Sequence, residues 1–449
     1  MYETRVKQSA AELAAGVVEE IRPPLDDYLA RAEAERCLLC GVPESPAPCV
    51  IACPAGVDIP EFVGAIARDD MASAATTVFA ANLLSGTCAR CCPVELLCES
   101  GCVLKRESRR PISIGLLHRH AADWGLERGS DWRRIASPMT GSIAIVGAGP
   151  AGLVCAGELA TQGFAVTVYD GRAEPGGLVR YAIAPYRQLN EPLPAEAQMI
   201  EELGAELRLG VAIESAEALH RLEQEHDAVV LAVGMGADSQ LSNPGWDLPG
   251  VWSSLDFIEQ VKLGHLKQIG QRVFVIGGGN TAVDVARISV RLGASDVTLV
   301  YRRGEAQMPA YAHEVAEARA EGVRFEWLTE PVRFIGDGRL SGAEFRRTRL
   351  RQDGSGRPRP EPLEGTEFVL AADAVINAIG QQPRSELLGW VDGLKLDHGR
   401  PVVDPASGRT SNPKYYACGD VLNGGATVVE AVRWGKLVAR GIAAALVNT

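Results

Sequence analysis

Ser142-Ile143-Ala144-Ile145-Val146-Gly147-Ala148-Gly149-Pro150-Ala151-Gly152 decides the fold of this 449-residue chain. A short apolar strand runs directly into a glycine turn. The pattern after it predicts a helix to Gln162 and a second strand from Ala165 to Tyr169. A lone G-x-G-x-x-G is weak evidence, but in strand–turn–helix–strand order it marks a dinucleotide-binding βαβ unit. Gly147 permits the tight turn, Gly149 lets backbone N–H groups approach a pyrophosphate, and Gly152 lets helix and strand pack closely. Pro150 and Ala151 open a helix whose N-terminus presents a positive dipole end. Asp170 ends the second strand, where an acid can accept from ribose hydroxyls; the plainer alternative is that it starts a turn with Gly171.

The unit occurs twice, and this is the only internal repeat. Arg272 to Ile276 is a second apolar strand, followed by Gly277-Gly278-Gly279-Asn280-Thr281-Ala282, a helix to about Leu292 and a strand from Asp296 to Tyr301. Ala282 in the last glycine position is an allowed variant. No acid follows this second strand; Arg302 and Arg303 stand there instead. Guanidinium groups suit the 2′-phosphate of NADPH, although two arginines can equally form a solvated strand end. Gly277, Gly279, Asn280, Thr281, Arg302 and Arg303 are the candidate NAD(P)H contacts.

Far downstream lies Tyr416-Ala417-Cys418-Gly419-Asp420-Val421, then Gly424-Gly425-Ala426-Thr427 ahead of a closing helix from Val428. An aspartate after a strand and a glycine can bind a ribityl chain, and the helix N-terminus can face a flavin. Paired with the first motif, this signature points to FAD at the first site. Gly177, Leu178, Gly419, Asp420, Ala426 and Thr427 join the candidate flavin contacts. Apolar strands at Ala374 to Ala378 and Lys414 to Ala417 suggest that the second nucleotide domain is inserted within the first. The expected fold is α/β: helical residues 1–140, FAD domain 141–252 and 373–449, NAD(P)H domain 253–372.

Nine of the eleven cysteines lie between Cys37 and Cys102. They run Cys37-x2-Cys40-x8-Cys49-x3-Cys53-Pro54, then Cys88, Cys91, Cys92-Pro93, Cys98 and Cys102. C-x2-C followed by C-x3-C-P is the grammar of two-cluster ferredoxins, where the cysteine before proline ligates the other cluster. The surrounding sequence is helical in spacing, with Ala10 to Glu20, Leu25 to Leu39 and Ile59 to Leu84 as expected helices. The C-x2-C pair alone also fits zinc, but the Cys-Pro steps favour iron. Cys155 reads as a packed thiol and Cys418 as structural, and neither belongs to a C-x-x-C dithiol.

Composition narrows the setting. A net charge of −12 argues against nucleic acid and anionic membrane surfaces as partners. No apolar run reaches the roughly 18 residues of a membrane span, and the N-terminus lacks a signal-peptide layout. A cytoplasmic location is therefore expected, where abundant cysteine means metal or redox chemistry rather than disulfides.

Arg36-Cys37-Leu38-Leu39-Cys40, Pro48-Cys49, Ala52-Cys53-Pro54, Cys92-Pro93, Leu97-Cys98, Gly101-Cys102 and Pro111 to Gly115 together resemble a known family. So do Val146 to Gly152, Gly277 to Asp284, Tyr301 to Pro309 and Ala417 to Asp420 in the body. Over nearly its full length the chain resembles the small subunit of bacterial glutamate synthase. It resembles still more the flavin subunit of NAD-dependent dihydropyrimidine dehydrogenase and the N-terminal half of the larger single-chain enzyme. The resemblance implies one FAD, one NAD(P)H site and two 4Fe-4S clusters. It assigns one cluster to Cys37, Cys40, Cys49 and Cys102, and the other to Cys53, Cys92 and Cys98 with a fourth ligand that is not cysteine. In the dihydropyrimidine branch that ligand is a glutamine after the Ile-Gly turn; the matching residue here is His118. Imidazole can ligate iron, and in Rieske centres it raises the potential. The alternative is a helix-surface His118, with Cys88 or Cys91 closing the site. A second departure is the longer Cys40–Cys49 gap, which reads as an insertion at Glu44 to Ala47.

The expected function is an electron-entry subunit that takes hydride from NAD(P)H at FAD and passes electrons through the clusters to a large catalytic subunit, with a dihydropyrimidine dehydrogenase-like partner favoured. Hydride transfer between cofactors needs no protein acid or base, so no catalytic residue is named. The alternatives are a self-contained reductase of a ferredoxin-like acceptor and a non-catalytic redox sensor or assembly scaffold.

Overall fold

The computed structural model describes residues 20–42, 45–129, 136–189, 191–352 and 358–447. Except for Glu20, the expected helix from Ala10 lies outside them. The chain separates into two compact units: Arg22–Ile183 with Asn190–Met235 and Pro383–Thr449, and the stretch ending at Ile21 with Ala184–Leu189 and Gly236–Gln382.

The first unit opens with helices Asp27–Ala34, Ile59–Ala67, Met71–Ala81, Ser85–Cys91 and Ile114–Arg128. Their starts are set by capping acids: Asp26, Asp58 and Asp70 accept from the amides of Leu29, Glu61 and Ser73. The continuous helix expected from Ile59 to Leu84 is in fact two. Arg68-Asp69-Asp70 breaks it, with Asp69 at φ +62° and Asp70 capping the helix Met71–Ala81. The helix expected over Leu25 to Leu39 stops at Ala34, which frees Cys37 and Cys40 for a loop. Phe62, Phe79, Leu83, Leu84 and Leu117 are fully buried in one cluster with Ile143, Leu153 and Val154. The helical head and the first nucleotide fold therefore share a single core.

That fold is a five-stranded parallel sheet, in the order Tyr415–Ala417, Ala228–Leu231, Ser142–Val146, Ala165–Asp170, Ala205–Leu209. The strand after the first glycine motif pairs from Ser142↔Ala165 to Val146↔Tyr169. Pro150–Thr161 and the long C-terminal helix Val428–Val447 pack against one another on it.

The second unit repeats the plan, with parallel strands in the order Val251–Ser253, Ala374–Asn377, Arg272–Ile276, Asp296–Tyr301, Arg324–Trp327. This moves the expected boundaries at 252/253 and 372/373. Ala374–Asn377, expected with residues 373–449, pairs with Val251–Ser253 and Arg272–Ile276 instead. A fully buried parallel strand is a plain apolar run, and nothing in it names its sheet. The chain enters and leaves this unit as a bonded pair: Gly236 N–H donates to Gln382 O (2.7 Å) and Gln382 N–H to Ala237 O (3.0 Å).

A four-stranded antiparallel sheet, Thr329–Gly336, Leu340–Arg351, Arg359–Pro362 and Phe368–Ala371, was not foreseen. Leu340, Ala343, Phe345 and Thr348 are buried, while Arg346 and Arg347 reach Glu330 and Glu326 outside. No helix among the described residues is long and apolar enough to cross a membrane.

Candidate functional site

The first glycine turn is built by close backbone approach. Gly147 sits at φ +110°, and a Cβ there would meet Ala232 O at 2.4 Å; a Cβ on Gly152 would lie 1.9 Å from Gly147 O. Pro150 occupies the first helical turn, where its missing N–H costs nothing. Asp170 turns back on the motif: its carboxylate accepts from Ala148 N–H at 2.7 Å and from Arg172 N–H at 2.8 Å. It thus organises the glycine loop and also starts the turn. Gly177 (φ +53°) lies against Gly149, with a Cβ 3.0 Å from Gly149 Cα, and precedes Leu178. Gly419 (φ +80°) lies against Ala151. The Asp420 carboxyl accepts from Ala426 N–H at 3.0 Å, and burial holds it above its ordinary range. Thr427 Oγ1 accepts from Glu430 N–H at the head of the C-terminal helix. The candidate flavin residues from four distant stretches of sequence meet around one helix N-terminus, a place suited to a pyrophosphate.

In the second unit, Gly277 (φ +151°) fits its backbone under Ala378 O, and Gly278 leaves room for the Tyr301 ring. Asn280 Oδ1 accepts from Tyr311 N–H at 2.9 Å, so this side chain braces the following loop. Gly279 caps the helix Asn280–Arg291, and Thr281 on its first turn is exposed. The Arg302 side chain is exposed. Arg303 is half-buried and donates to Pro358 O at 3.2 Å.

The thiols fall into two groups. Cys37, Cys40, Cys49 and Cys102 line one open cavity of about 400 Å³, whose other walls include Leu38, Ile59, Leu104 and Ile112. Burial pushes the Cys37 thiol up and the Cys49 thiol up to about 11, and each lies in the field of Cys102. In the second group, contact with Cys88 and then burial raise Cys92 well above the thiol range, with Cys98 and Cys53 adding to it. Cys98 is raised by burial and lies near Cys53 and also Cys49, which joins the two groups. Among the described residues no three His, Cys, Asp or Glu side chains gather closely enough to hold one ion. A tetrahedral zinc needs its donors about 2.3 Å from a single point. The four thiols of the first group, set around apolar walls, fit a larger inorganic core that would supply positive charge where bare thiolates are costly.

His118 is half-buried, with Nε2 3.2 Å from Ser85 Oγ and its ring 5.8 Å from Phe62. Burial depresses it to about 4. Cys88 is buried and faces Cys92 and Cys53. Cys155 and Cys418 are both buried, and burial lifts Cys418 to about 12.

Three features around these sites had no motif to announce them. Glu196, 0% exposed, accepts from Thr87 N–H (3.0 Å) and Thr87 O–H (2.5 Å), and burial pushes it up to about 7. Lys436 Nζ donates to Ala55 O and Ala81 O. In the second unit, Asp284 on the glycine-motif helix accepts from Tyr186 O–H and Arg187, while Arg187, Arg287 and Arg291 surround the Tyr186 ring. Only burial, which a sequence does not display, distinguishes these acids and bases from the many on the surface.

Residues 141–435 match the family model of pyridine nucleotide-disulphide oxidoreductases, and residues 14–130 match that of dihydropyrimidine dehydrogenase domain II, 4Fe-4S cluster. The glutamate synthase (NADPH) small chain of Halomonas elongata is 36% identical, over 98% of this chain and 93% of its own. The NAD-dependent dihydropyrimidine dehydrogenase subunit PreT of Escherichia coli O157:H7 is 35% identical, over 95% and 96%. The NADP(+)-dependent formate dehydrogenase subunit beta of Moorella thermoacetica is 35% identical, over 88% of this chain and 59% of its own. Among solved structures, Mycobacterium tuberculosis FprA in complex with NADPH shares the fold with TM-score 0.56 and 22% identity, over 70% of this chain and 86% of that one.

Proposed function

Since the chain belongs to the pyridine nucleotide-disulphide oxidoreductase family and carries a dihydropyrimidine dehydrogenase-type 4Fe-4S domain ahead of it, we propose that it is the electron-entry subunit of a larger oxidoreductase. In this reading it oxidises NAD(P)H at FAD and delivers electrons through two clusters to a partner catalytic subunit. The head's likeness to dihydropyrimidine dehydrogenase supports a partner of that type. The observation that carries the reading is the union of head and flavin fold in one core, with the cysteine-lined cavity in the head and the flavin residues gathered at one helix N-terminus.

Bound FAD supplies hydride acceptance and release of single electrons, and the clusters conduct those electrons. The chain's own residues hold and orient. Gly147, Gly149, Pro150, Ala151 and Gly152 cradle a pyrophosphate, and Asp170 keeps their loop in shape for a ribose. Gly177, Leu178, Gly419, Asp420, Ala426 and Thr427 bound the remainder of the flavin. Gly277, Gly279, Asn280 and Thr281 take the nicotinamide pyrophosphate, with Arg302 and Arg303 at the adenosine ribose. Cys37, Cys40, Cys49 and Cys102 hold one cluster; Cys53, Cys92, Cys98 and His118 hold the other. His118 is taken as the fourth ligand because it stands at the position where the resembling dihydropyrimidine branch has its non-cysteine ligand; Cys88, which neighbours Cys92 and Cys53, is the alternative.

The test is anaerobic purification from the native host, followed by NAD(P)H oxidation with the material that co-purifies. A stoichiometric large subunit whose substrate accepts the electrons supports the proposal. A chain that purifies alone and reduces ferredoxin with NAD(P)H overturns it in favour of a self-contained reductase. Cofactor-loaded protein that oxidises no NAD(P)H with an artificial acceptor overturns it in favour of a sensor or scaffold.

A further inference from the structure

The C-terminal helix Val428–Val447 joins the two kinds of site. Its first turn follows Ala426 and Thr427, the flavin-facing residues. Nine residues on, about 14 Å along the axis at 1.5 Å per residue, stands Lys436. The helix is seated tightly there: a Cβ on Gly435 would lie 2.5 Å from Ala151 O, on the glycine-motif helix. From this seat Lys436 reaches into the head. Its ammonium donates to Ala55 O at 2.7 Å and to Ala81 O at 2.5 Å. Ala81 is the last residue of the helix Met71–Ala81, whose terminal carbonyls lack helical partners and carry the negative dipole end.

Ala55 O belongs to the peptide group whose N–H is that of Gly56. The Cys53-Pro54-Ala55-Gly56-Val57 turn wraps back on its own cysteine, and the amides of Ala55, Gly56 and Val57 face the Cys53 sulfur. The Gly56 N–H is shared between that sulfur and Cys53 O, 3.0 Å away. A cation on the carbonyl oxygen polarises the whole peptide and makes its N–H a stronger donor. Hydrogen bonds to the ligand sulfurs and nearby charge are among the terms that set an iron–sulfur potential.

We propose that Lys436 is a positioning residue for the second cluster: it pins the Ala55–Gly56 peptide against the Cys53 sulfur and raises that cluster's reduction potential, favouring electron flow away from the flavin. This rests on the proposed assignment of Cys53 to a cluster.

The test is a redox titration of the full chain, reconstituted anaerobically and followed by EPR, for the native protein and Lys436→Met, Lys436→Gln and Lys436→Arg. Both neutral variants are expected to lower one of the two midpoints and leave the other in place. At the native midpoint, the reduced-to-oxidised ratio of the affected cluster falls about tenfold, or 59 mV for one electron, the weight of one charge-assisted hydrogen bond. Lys436→Arg restores most of it. If the neutral variants fail to assemble that cluster while Lys436→Arg assembles it, the pinning role is upheld. Midpoints unchanged in both neutral variants, equal shifts in both clusters, or cluster loss in Lys436→Arg would each overturn the proposal. A native protein without 4Fe-4S signals sinks the cluster assignment itself, a different result from unchanged midpoints in a cluster-bearing protein.

Discussion

Glu196→Gln is expected to stabilise the protein at pH 8 and to change little at pH 4. The carboxyl is wholly buried, with Thr87 donating to both oxygens, and its ionisation is pushed from 4.5 to about 7. The folded state thus holds a proton that the unfolded chain gives up at lower pH. Its contribution to stability is complete below about 4.5, falls as pH rises toward 7, and is level above that. The displacement of about 2.5 units at 1.36 kcal/mol each corresponds to about 3 kcal/mol. Glutamine copies the protonated acid and does not titrate, and the Thr87 hydroxyl can reverse to accept from the amide. The nearby charge, Arg90, is paired with Asp123 at 2.8 Å. Denaturant unfolding of both proteins from pH 4 to pH 8 gives the difference curve. It should open through pH 4.5–7 and reach about 3 kcal/mol in favour of the variant. A flat difference curve, or one favouring the native acid at high pH, refutes the reasoning.

Gly152→Ala should abolish FAD retention, since the new methyl would sit 1.9 Å from Gly147 O; flavin absorbance per chain reads it, and a fully loaded variant would contradict the tight-turn assignment. His118→Ala should remove one cluster's EPR signal while Cys88→Ala keeps both; the opposite pattern would assign the ligand to Cys88. Asp284→Asn should destabilise the second unit by about 1.5–3 kcal/mol, because Arg187 and Tyr186 lose charge-assisted hydrogen bonds while Arg187 keeps Glu314; a loss below about 1 kcal/mol by denaturant unfolding would show the network to be dispensable.

Much of the architecture was legible because strand, glycine turn and helix are local and carry their own punctuation. Ser142–Val146, Arg272–Ile276 and Asp296–Tyr301 stand where the pattern put them. What local pattern does not carry is pairing. Ala374–Asn377 looks like any buried strand, and its sheet is chosen by long-range register. The antiparallel sheet was hidden because Leu340–Arg351 breaks period-two alternation at register shifts by Leu340/Gly342 and Glu344/Phe345 and carries a load of arginines. The break at Arg68-Asp69-Asp70 was legible in principle, as an aspartate cap. In the head, spacing marked the cysteines as candidates and the resemblance divided them into two sets, but the closeness of Cys88 to Cys92 and the reach of Lys436 into the Cys53 turn exist only once the core has closed.

The bonded pair at Gly236 and Gln382 has a consequence for how such proteins can be recombined. Two chain ends tied side by side make residues 236–382 resemble a cassette, to be exchanged for one of different coenzyme preference. Yet Tyr186 and Arg187 come from the other side of the sequence and are spent on Asp284 and Glu314 of that cassette. A chimaera that moves 236–382 alone would strand two carboxylates in the graft and a cation in the host. The inheritable piece is discontinuous: residues 184–189 must travel with it.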